Sequence, residues 1–482
     1  MISATPRARV AVVGGGIAGL AAAYFLRGRG AEVTVLEGSR RIGGKLATSE
    51  IAGAAIDSGA EALLARRPEG VDLIRAVGLS EELVYPGTTA ASIWTRGQLR
   101  ALPRRQFMGV PADFDELAQS QILSSAGLER AREDADLPAT RRDADVAVGE
   151  YVGARLGSEV VDRLVEPLLG GVYAGRADQL SFEATLPGLA QESHLHRSLT
   201  EAAAALLGAA EPHAGTPPPV FTTLAGGLGT LPQAVARASG AQVRTSATVR
   251  ELARTPTGWR LTMGPTAAPE YMSSDAVILA LPARPASRLV RQLDGPDAAA
   301  AAAGLAEIEY ASMAIVTLAY PVAAFASPVT GSGYLVPAVD GRPVKAVTFI
   351  TVKWPHLAGD LHIVRCSVGR IGEEAVLQRD DSELANLAAA DLAAATGVAG
   401  RPADVRVTRW GGGLPQYTVG HLDRVGRIRA GIAAMPGLAV CGAACDGVGI
   451  PACIASAQLA VEQVLAQLSK GEPATQSSRS GG

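Results

Sequence analysis

The run Val10-Ala-Val-Val-Gly14-Gly15-Gly16-Ile17-Ala18-Gly19 constrains this chain more than any other part of it. Arg9 to Val13 reads as a short buried strand, Ile17 to Arg29 as an amphipathic helix stopped at Gly30, and Ala31 to Glu37 as a second strand. Strand, glycine turn, helix and strand in such quick succession form the pattern of a parallel βαβ unit. The first glycine permits the tight turn, the second lets backbone approach a pyrophosphate, and the third lets helix and strand pack closely. The helix N-terminus adds free N–H groups and a partial positive charge. Glu37 ends the second strand, where a carboxylate can accept hydrogen bonds from both hydroxyls of a ribose. The same carboxylate disfavours a 2′-phosphate, which argues against NADP.

A chain of 482 residues is too long for one typical core, so two or three domains are expected. Apolar residues make up 48% and charged residues 19%, the balance of a soluble globular protein. A net charge of −3 gives no electrostatic reason to expect a nucleic-acid partner. The four cysteines, Cys366, Cys441, Cys445 and Cys453, form no Cys-x-x-Cys pair, and the histidines are sparse and scattered. Reduced thiols in the cytoplasm and no metal site are therefore the expectation. Met1 to Arg9 runs almost directly into the first strand with no apolar signal segment. No apolar run reaches the roughly 18 residues of a membrane span; the Ala298 to Ala306 stretch is curtailed by Gly304 and Glu307.

Further along, Ser92 to Leu102 reads as a hairpin with Arg96-Gly97 at its turn, and Ala112 to about Leu207 as helices. Gly215 to Pro219 reads as a stiff linker, followed by a glycine-rich turn at Gly226, Gly227 and Gly229 and a helix from Leu231. Strands are expected at Gln242 to Val249, Trp259 to Thr262 and Asp275 to Leu281. Residues 307 to 370 read largely as β, and Ser382 to Thr396 as a helix. Leu438 to Leu468 reads as strand, glycine turn and long helix, ahead of a Ser/Gly-rich tail expected to be disordered over 471–482.

The segment after the second strand, Glu37-Gly-Ser-Arg-Arg41-Ile-Gly43-Gly44-Lys45, resembles the extended FAD signature of the amine oxidase and phytoene desaturase superfamily. Cys441-Gly-Ala443-Ala-Cys-Asp-Gly-Val448-Gly449-Ile450 resembles that superfamily's second FAD contact. Three further segments resemble the porphyrinogen oxidase family of haem biosynthesis: Glu166 to Ser181, Phe221 to Leu231, and Leu414 to His421. The likeness is to the bacterial, oxygen-dependent type that oxidises coproporphyrinogen III, with the protoporphyrinogen IX oxidases of the same family as the alternative. It covers about residues 8 to 468. Amine oxidases and carotenoid desaturases share the FAD apparatus but lack the 166–181 and 414–421 segments in this form. Ala60 stands where relatives often have proline, and Ser456-Ala457 where they have Ser-Gly, which bears on local flavin contacts only.

The resemblance implies an α/β protein with a Rossmann-type FAD-binding domain, a β-rich substrate domain and a helical insertion. The FAD domain would comprise residues 1–90, 215–305 and 405–470, the substrate domain 91–103 and 306–404, and the insertion 104–214. Contact of the insertion with the inner face of the cell membrane stays open, as does a homo-oligomer. FAD, held non-covalently, would meet Gly14, Gly15, Gly16, Ile17, Ala18, Gly19, Glu37, Arg41, Gly43, Gly44 and Lys45. It would also meet Gly59, Ala60, Glu61, Ala62, Val249, Trp410, Ala443, Val448, Gly449 and Ile450. Oxidation of a porphyrinogen removes six electrons, with oxygen as the acceptor and the flavin carrying the chemistry; no side-chain base is assigned. Arg66, Arg67 and Arg176 are the candidates for binding substrate carboxylates, because arginine offers a planar fork of donors. Small packed cysteines, rather than a covalent flavin link, are the reading of Cys445 and Cys453.

Overall fold

The structure, a computed structural model, describes residues 7–140, 142–209 and 219–471. Residues 210–218, which hold most of the expected linker, and the tail beyond 471 lie outside the described residues.

Strand Ala8–Val13 is buried from Val10 onward because it lies in the middle of a five-stranded parallel sheet. The order across the sheet is Gln242–Arg244, Ala31–Leu36, Ala8–Val13, Ala276–Leu279, Leu438–Val440. Strand order reverses beside Ala8–Val13, so the crevice beyond the carboxyl ends of Ala8–Val13 and Ala276–Leu279 is where open α/β sheets bind ligands. Helices Ile17–Leu26, Leu231–Ser239 and Ile450–Gly471 cover one face. Leu20 and Leu26 of the first helix have no exposed surface, and each contributes roughly 1.5–3 kcal/mol by leaving water. The other face carries an antiparallel meander, Glu251–Thr255, Gly258–Met263 and Glu270–Ser274, with helices Ala283–Val290, Pro296–Ala306 and His421–Ala433. The α/β class read from the glycine turn is the class observed.

Two expected elements are shorter than their sequence pattern. The first helix stops at Leu26, where Arg27 turns extended and Gly28 and Gly30 take positive φ to return the chain. The strand expected over Gln242 to Val249 ends at Arg244. Ser246 adopts φ +53, and the N–H groups of Ser246 and Ala247 turn to the carbonyls of Ser39 and Glu37.

A seven-stranded sheet stands beside this unit in the order Asp404–Pro415, Tyr310–Pro321, Leu361–Val368, Val344–Phe349, Gly333–Leu335, Ala91–Thr95, Gln98–Ala101. The hairpin read at Arg96-Gly97 forms its edge, with both turn residues at positive φ, the geometry a two-residue hairpin demands. Helix Asp381–Thr396, closed by a capping box between Asp380 and Glu383, buries Leu384, Ala388 and Leu392 against this sheet. Short helices between Phe114 and Ala209 build their own core around Tyr151, Leu164, Leu169 and Phe182. Arg155, buried there, donates to the Asp134 carboxylate at 2.5 Å and to three backbone carbonyls. Among the described residues no helix is long and apolar enough to cross a membrane.

Candidate cofactor and active site

At the mouth of the crevice the strand ends at Val13 and the backbone turns through Gly14 at φ +113. A Cβ on Gly19 would overlap the Gly14 carbonyl, so only glycine lets the helix approach the strand this closely. Beyond Gly16 a Cβ would meet nothing, and no side chain caps helix Ile17–Leu26. Its first N–H groups therefore remain free for an anion. Glu37 accepts from Gly15 N–H at 2.8 Å through Oε2 and from Ser39 N–H at 2.7 Å through Oε1. The carboxylate thus ties the glycine loop to the turn that follows the second strand. Gly43 N–H donates to the Gly15 carbonyl at 2.7 Å, laying the 38–45 loop on the first loop. Arg41 sends its guanidinium to the carbonyls of Gly44, Ile42 and Leu46, so it orders its own loop. Lys45 has no ion-pair partner among the described residues, and burial lowers its ammonium below the ordinary lysine value. Val249, partly buried, follows the Ser246–Ala247 turn that runs along Glu37 to Ser39.

The second end of the crevice is assembled from distant parts of the chain. Gly59 packs so tightly on the Lys45 carbonyl that a Cβ would overlap it, and Ala60 N–H donates to that same oxygen at 3.0 Å. Trp410 Nε1–H donates to Ser58 O at 2.8 Å. Arg365, on strand Leu361–Val368, donates to Gly59 O at 2.8 Å and to Glu61 Oε2 at 2.7 Å. Lys353 Nζ reaches Glu61 Oε1 at 2.6 Å. Burial pushes the Glu61 carboxyl up, but the charges of Lys353 and Arg365 outweigh it and hold the group below the ordinary glutamate value. Asp57 accepts from Leu228 N–H at 2.8 Å and Gly229 N–H at 3.0 Å, fastening the second glycine turn. Burial raises its carboxyl to about 6, against the pull of those two donors. Ala62 packs with Ile51, Ile56 and Trp354, at the foot of the turn.

Near the C-terminus, Ala443 and Val448 are half-buried, Gly449 is exposed and Ile450 opens the last helix. Cys441, Cys445 and Cys453 are all buried and free, with burial pushing each thiol up, so each packs as a small apolar group. The three arginine candidates lie elsewhere. Arg66 and Arg67 are exposed before helix Pro68–Ala76, with Arg67 paired to Glu69 at 2.7 Å. Arg66 lines a surface cavity of about 240 Å³ with Arg75 and Tyr85. Arg176 is exposed and 3.3 Å from Asp178. Sequence inspection missed the buried cations Lys345, Arg365 and Arg370 and the partly buried Lys353. Their signal was a charge inside an apolar strand, as in Ile363-Val-Arg365-Cys366. Lys345 is 2% exposed with Gly170 O at 3.2 Å as its acceptor, and burial, with Arg370 nearby, lowers its ammonium to about 7.

The family model for flavin-containing amine oxidoreductases matches residues 17–465, nearly the whole described chain. The chain belongs to this family. Its cofactor is FAD, and the uncapped helix, the open space at Gly16 and the clamped turn at Ser58–Glu61 fit that group. The chain is 40% identical to a coproporphyrinogen III oxidase of Mycobacterium tuberculosis, covering 96% of this chain and 98% of the relative. It is 31% identical to a coproporphyrinogen III oxidase of Bacillus subtilis, covering 95% and 98%. A protoporphyrinogen oxidase of Bos taurus matches at 29% identity, covering 95% and 98%. Among solved structures, an Exiguobacterium protein provisionally named a protoporphyrinogen oxidase superposes with a TM-score of 0.83 and 33% identity, covering 95% of this chain and 99% of that one. A putrescine oxidase variant, 18% identical with a TM-score of 0.69 and covering 95% and 99%, shares the fold.

Proposed function

We propose that this flavoprotein oxidises coproporphyrinogen III to coproporphyrin III with dioxygen as acceptor, a step of haem biosynthesis. The observation that carries this reading is the end-to-end likeness, 40% over 96% of the chain, to relatives named for that activity. It is supported by the packing of the two segments that separate porphyrinogen oxidases from amine oxidases. Segment 414–421 lies against segment 166–181, with Gln416 Nε2 donating to Tyr173 O at 2.8 Å and Ser181 N–H to Tyr417 O at 2.7 Å. Segment 414–421 reaches the C-terminal flavin segment through the Tyr417 hydroxyl, which donates to Ala443 O.

Conversion of the porphyrinogen to the porphyrin removes six hydrogens, which balance three dioxygen molecules reduced to three hydrogen peroxide. Bound FAD supplies the hydride acceptor. The chain supplies binding and orientation. Gly14–Gly19 and Glu37 hold the dinucleotide. Trp410, Arg365 and Lys353 hold the Ser58–Glu61 turn, which would lie beside the bound flavin, and the helical insertion packs against segment 414–421. The substrate carries four propionates where protoporphyrinogen IX carries two. Arg66, Arg67 and Arg176, all exposed, are the residues proposed to meet these carboxylates, Arg67 and Arg176 by exchanging Glu69 and Asp178 for them. Initial rates with coproporphyrinogen III and protoporphyrinogen IX, measured side by side, test the assignment. The first substrate should give the larger kcat/KM, and an enzyme faster on protoporphyrinogen IX would make it the protoporphyrinogen oxidase of the same family instead.

A further inference from the structure

Segment Leu414–His421 does more in the structure than mark a family. The Tyr417 hydroxyl donates to Ala443 O at 2.6 Å and accepts from Gly447 N–H at 2.7 Å. One phenol oxygen therefore bridges the two ends of the Ala443–Gly447 loop, whose last residue sits at φ +130. Neither backbone group has another partner among the described residues. The loop leads straight into Val448–Ile450 and the start of the last helix, the stretch that faces the flavin on the reading above.

The phenol is held from both sides. Tyr417 is 2% exposed, its ring lies flat on His421 at 3.9 Å with 14° between planes, and it tilts against Tyr173 at 5.6 Å. Both His421 nitrogens are buried, near the Cys445 carbonyl but without a well-formed hydrogen bond to it; burial, with Arg424 nearby, lowers the imidazole to about 4, so His421 serves as a neutral plate. Burial pushes the Tyr417 phenol up, so the hydroxyl keeps the proton it donates. The same short segment grips the helical insertion through Gln416 on Tyr173, Tyr417 on Ser181 and Val419 N–H on Gln179 O at 3.1 Å.

We propose that the Tyr417 hydroxyl is a positioning group for FAD: it holds the Ala443–Gly447 loop closed so that the N–H groups after it meet the flavin, and it ties that loop to the seating of the helical insertion. This rests on the flavin reading. Tyr417→Phe keeps the ring and its stack and removes both hydrogen bonds; His421→Phe keeps the stack and removes only the imidazole nitrogens. Three readouts apply to the holoenzymes: the FAD dissociation constant, the reduction potential of the bound flavin, and backbone amide exchange over 441–449. Tyr417→Phe should raise the dissociation constant about tenfold, move the potential to a more negative value and speed exchange at Gly447. His421→Phe, which keeps the plate, should shift each readout less than Tyr417→Phe does. Parental affinity and potential in Tyr417→Phe would overturn the proposal, and so would equal losses in His421→Phe, which would assign the effect to ring packing. A parent protein that binds no FAD would defeat the flavin reading itself, and the proposal with it.

Discussion

At the end proposed for the nucleotide most partners are near neighbours in sequence, Gly15 with Glu37, Glu37 with Ser39 and Gly43 with Gly15, the turn at Ser246–Ala247 being the distant exception. At the ring end Trp410 reaches 352 residues back to Ser58, Arg365 reaches 304 residues to Glu61, and Tyr417 closes a loop 26 residues ahead. The first end is made almost wholly of backbone, with glycines clearing space and one carboxylate fastening the loops. The second is made of side chains, Trp410 and Arg365 from the seven-stranded sheet and Lys353 and Tyr417 from segments beside it, and its charges are largely withdrawn from water. A backbone site survives many substitutions away from its glycines and its one carboxylate, because its N–H groups do not depend on the side chains there. A site of buried, mutually neutralising side chains does not, since removing one member strands the others. The same fold therefore carries one tolerant end and one brittle end.

The largest expected effect lies at the brittle end. Arg365→Met removes the donor to Gly59 O and half of the neutralisation of Glu61, inside a cluster whose members are 9–17% exposed. It should lower the unfolding free energy of the holoenzyme by about 3 kcal/mol, measured by denaturant titration. A loss within 0.5 kcal/mol, the range of ordinary surface substitutions, would break the contrast between the two ends. Next comes Glu37→Ala, which strips the acceptor of Gly15 and Ser39 together with the ribose contact. FAD affinity should fall by roughly 1.5–3 kcal/mol while the apoprotein loses less, because the exposed Ser39 N–H turns to water and only the buried Gly15 N–H is left without its acceptor. Calorimetric titration of the apoprotein reads the first, and unchanged affinity would take Glu37 out of the site.

The same contrast explains what could be read from the chain alone. The parallel sheet, the glycine turn and the acidic residue were legible because their physics is local: alternation, a turn and a helix start, all inside one βαβ unit. The hairpin at Arg96-Gly97 was legible for the same reason. The strand after Gln242 was overextended because Ser246 and Ala247 spend their N–H groups on Ser39 and Glu37, a demand no propensity announces. Arg365, Lys353 and Asp57 were missed since their partners are far off in sequence. Arg66, Arg67 and Arg176 were singled out because they stand near recognised motifs, and all three are exposed. The 414–421 segment was recognised by its pattern, but the reason for the pattern, a phenol bridging two backbone groups, appears only when residues 443 and 447 are brought to it.

The central claim is that the two ends together hold an FAD that a porphyrinogen reduces. Anaerobic mixing of the yellow holoenzyme with coproporphyrinogen III, followed by absorbance, tests it most directly. The flavin band should bleach as substrate is consumed, and admitting oxygen should restore it, with three hydrogen peroxide formed per coproporphyrin over full turnover. A flavin band that stays unchanged with coproporphyrinogen III under anaerobiosis would contradict it.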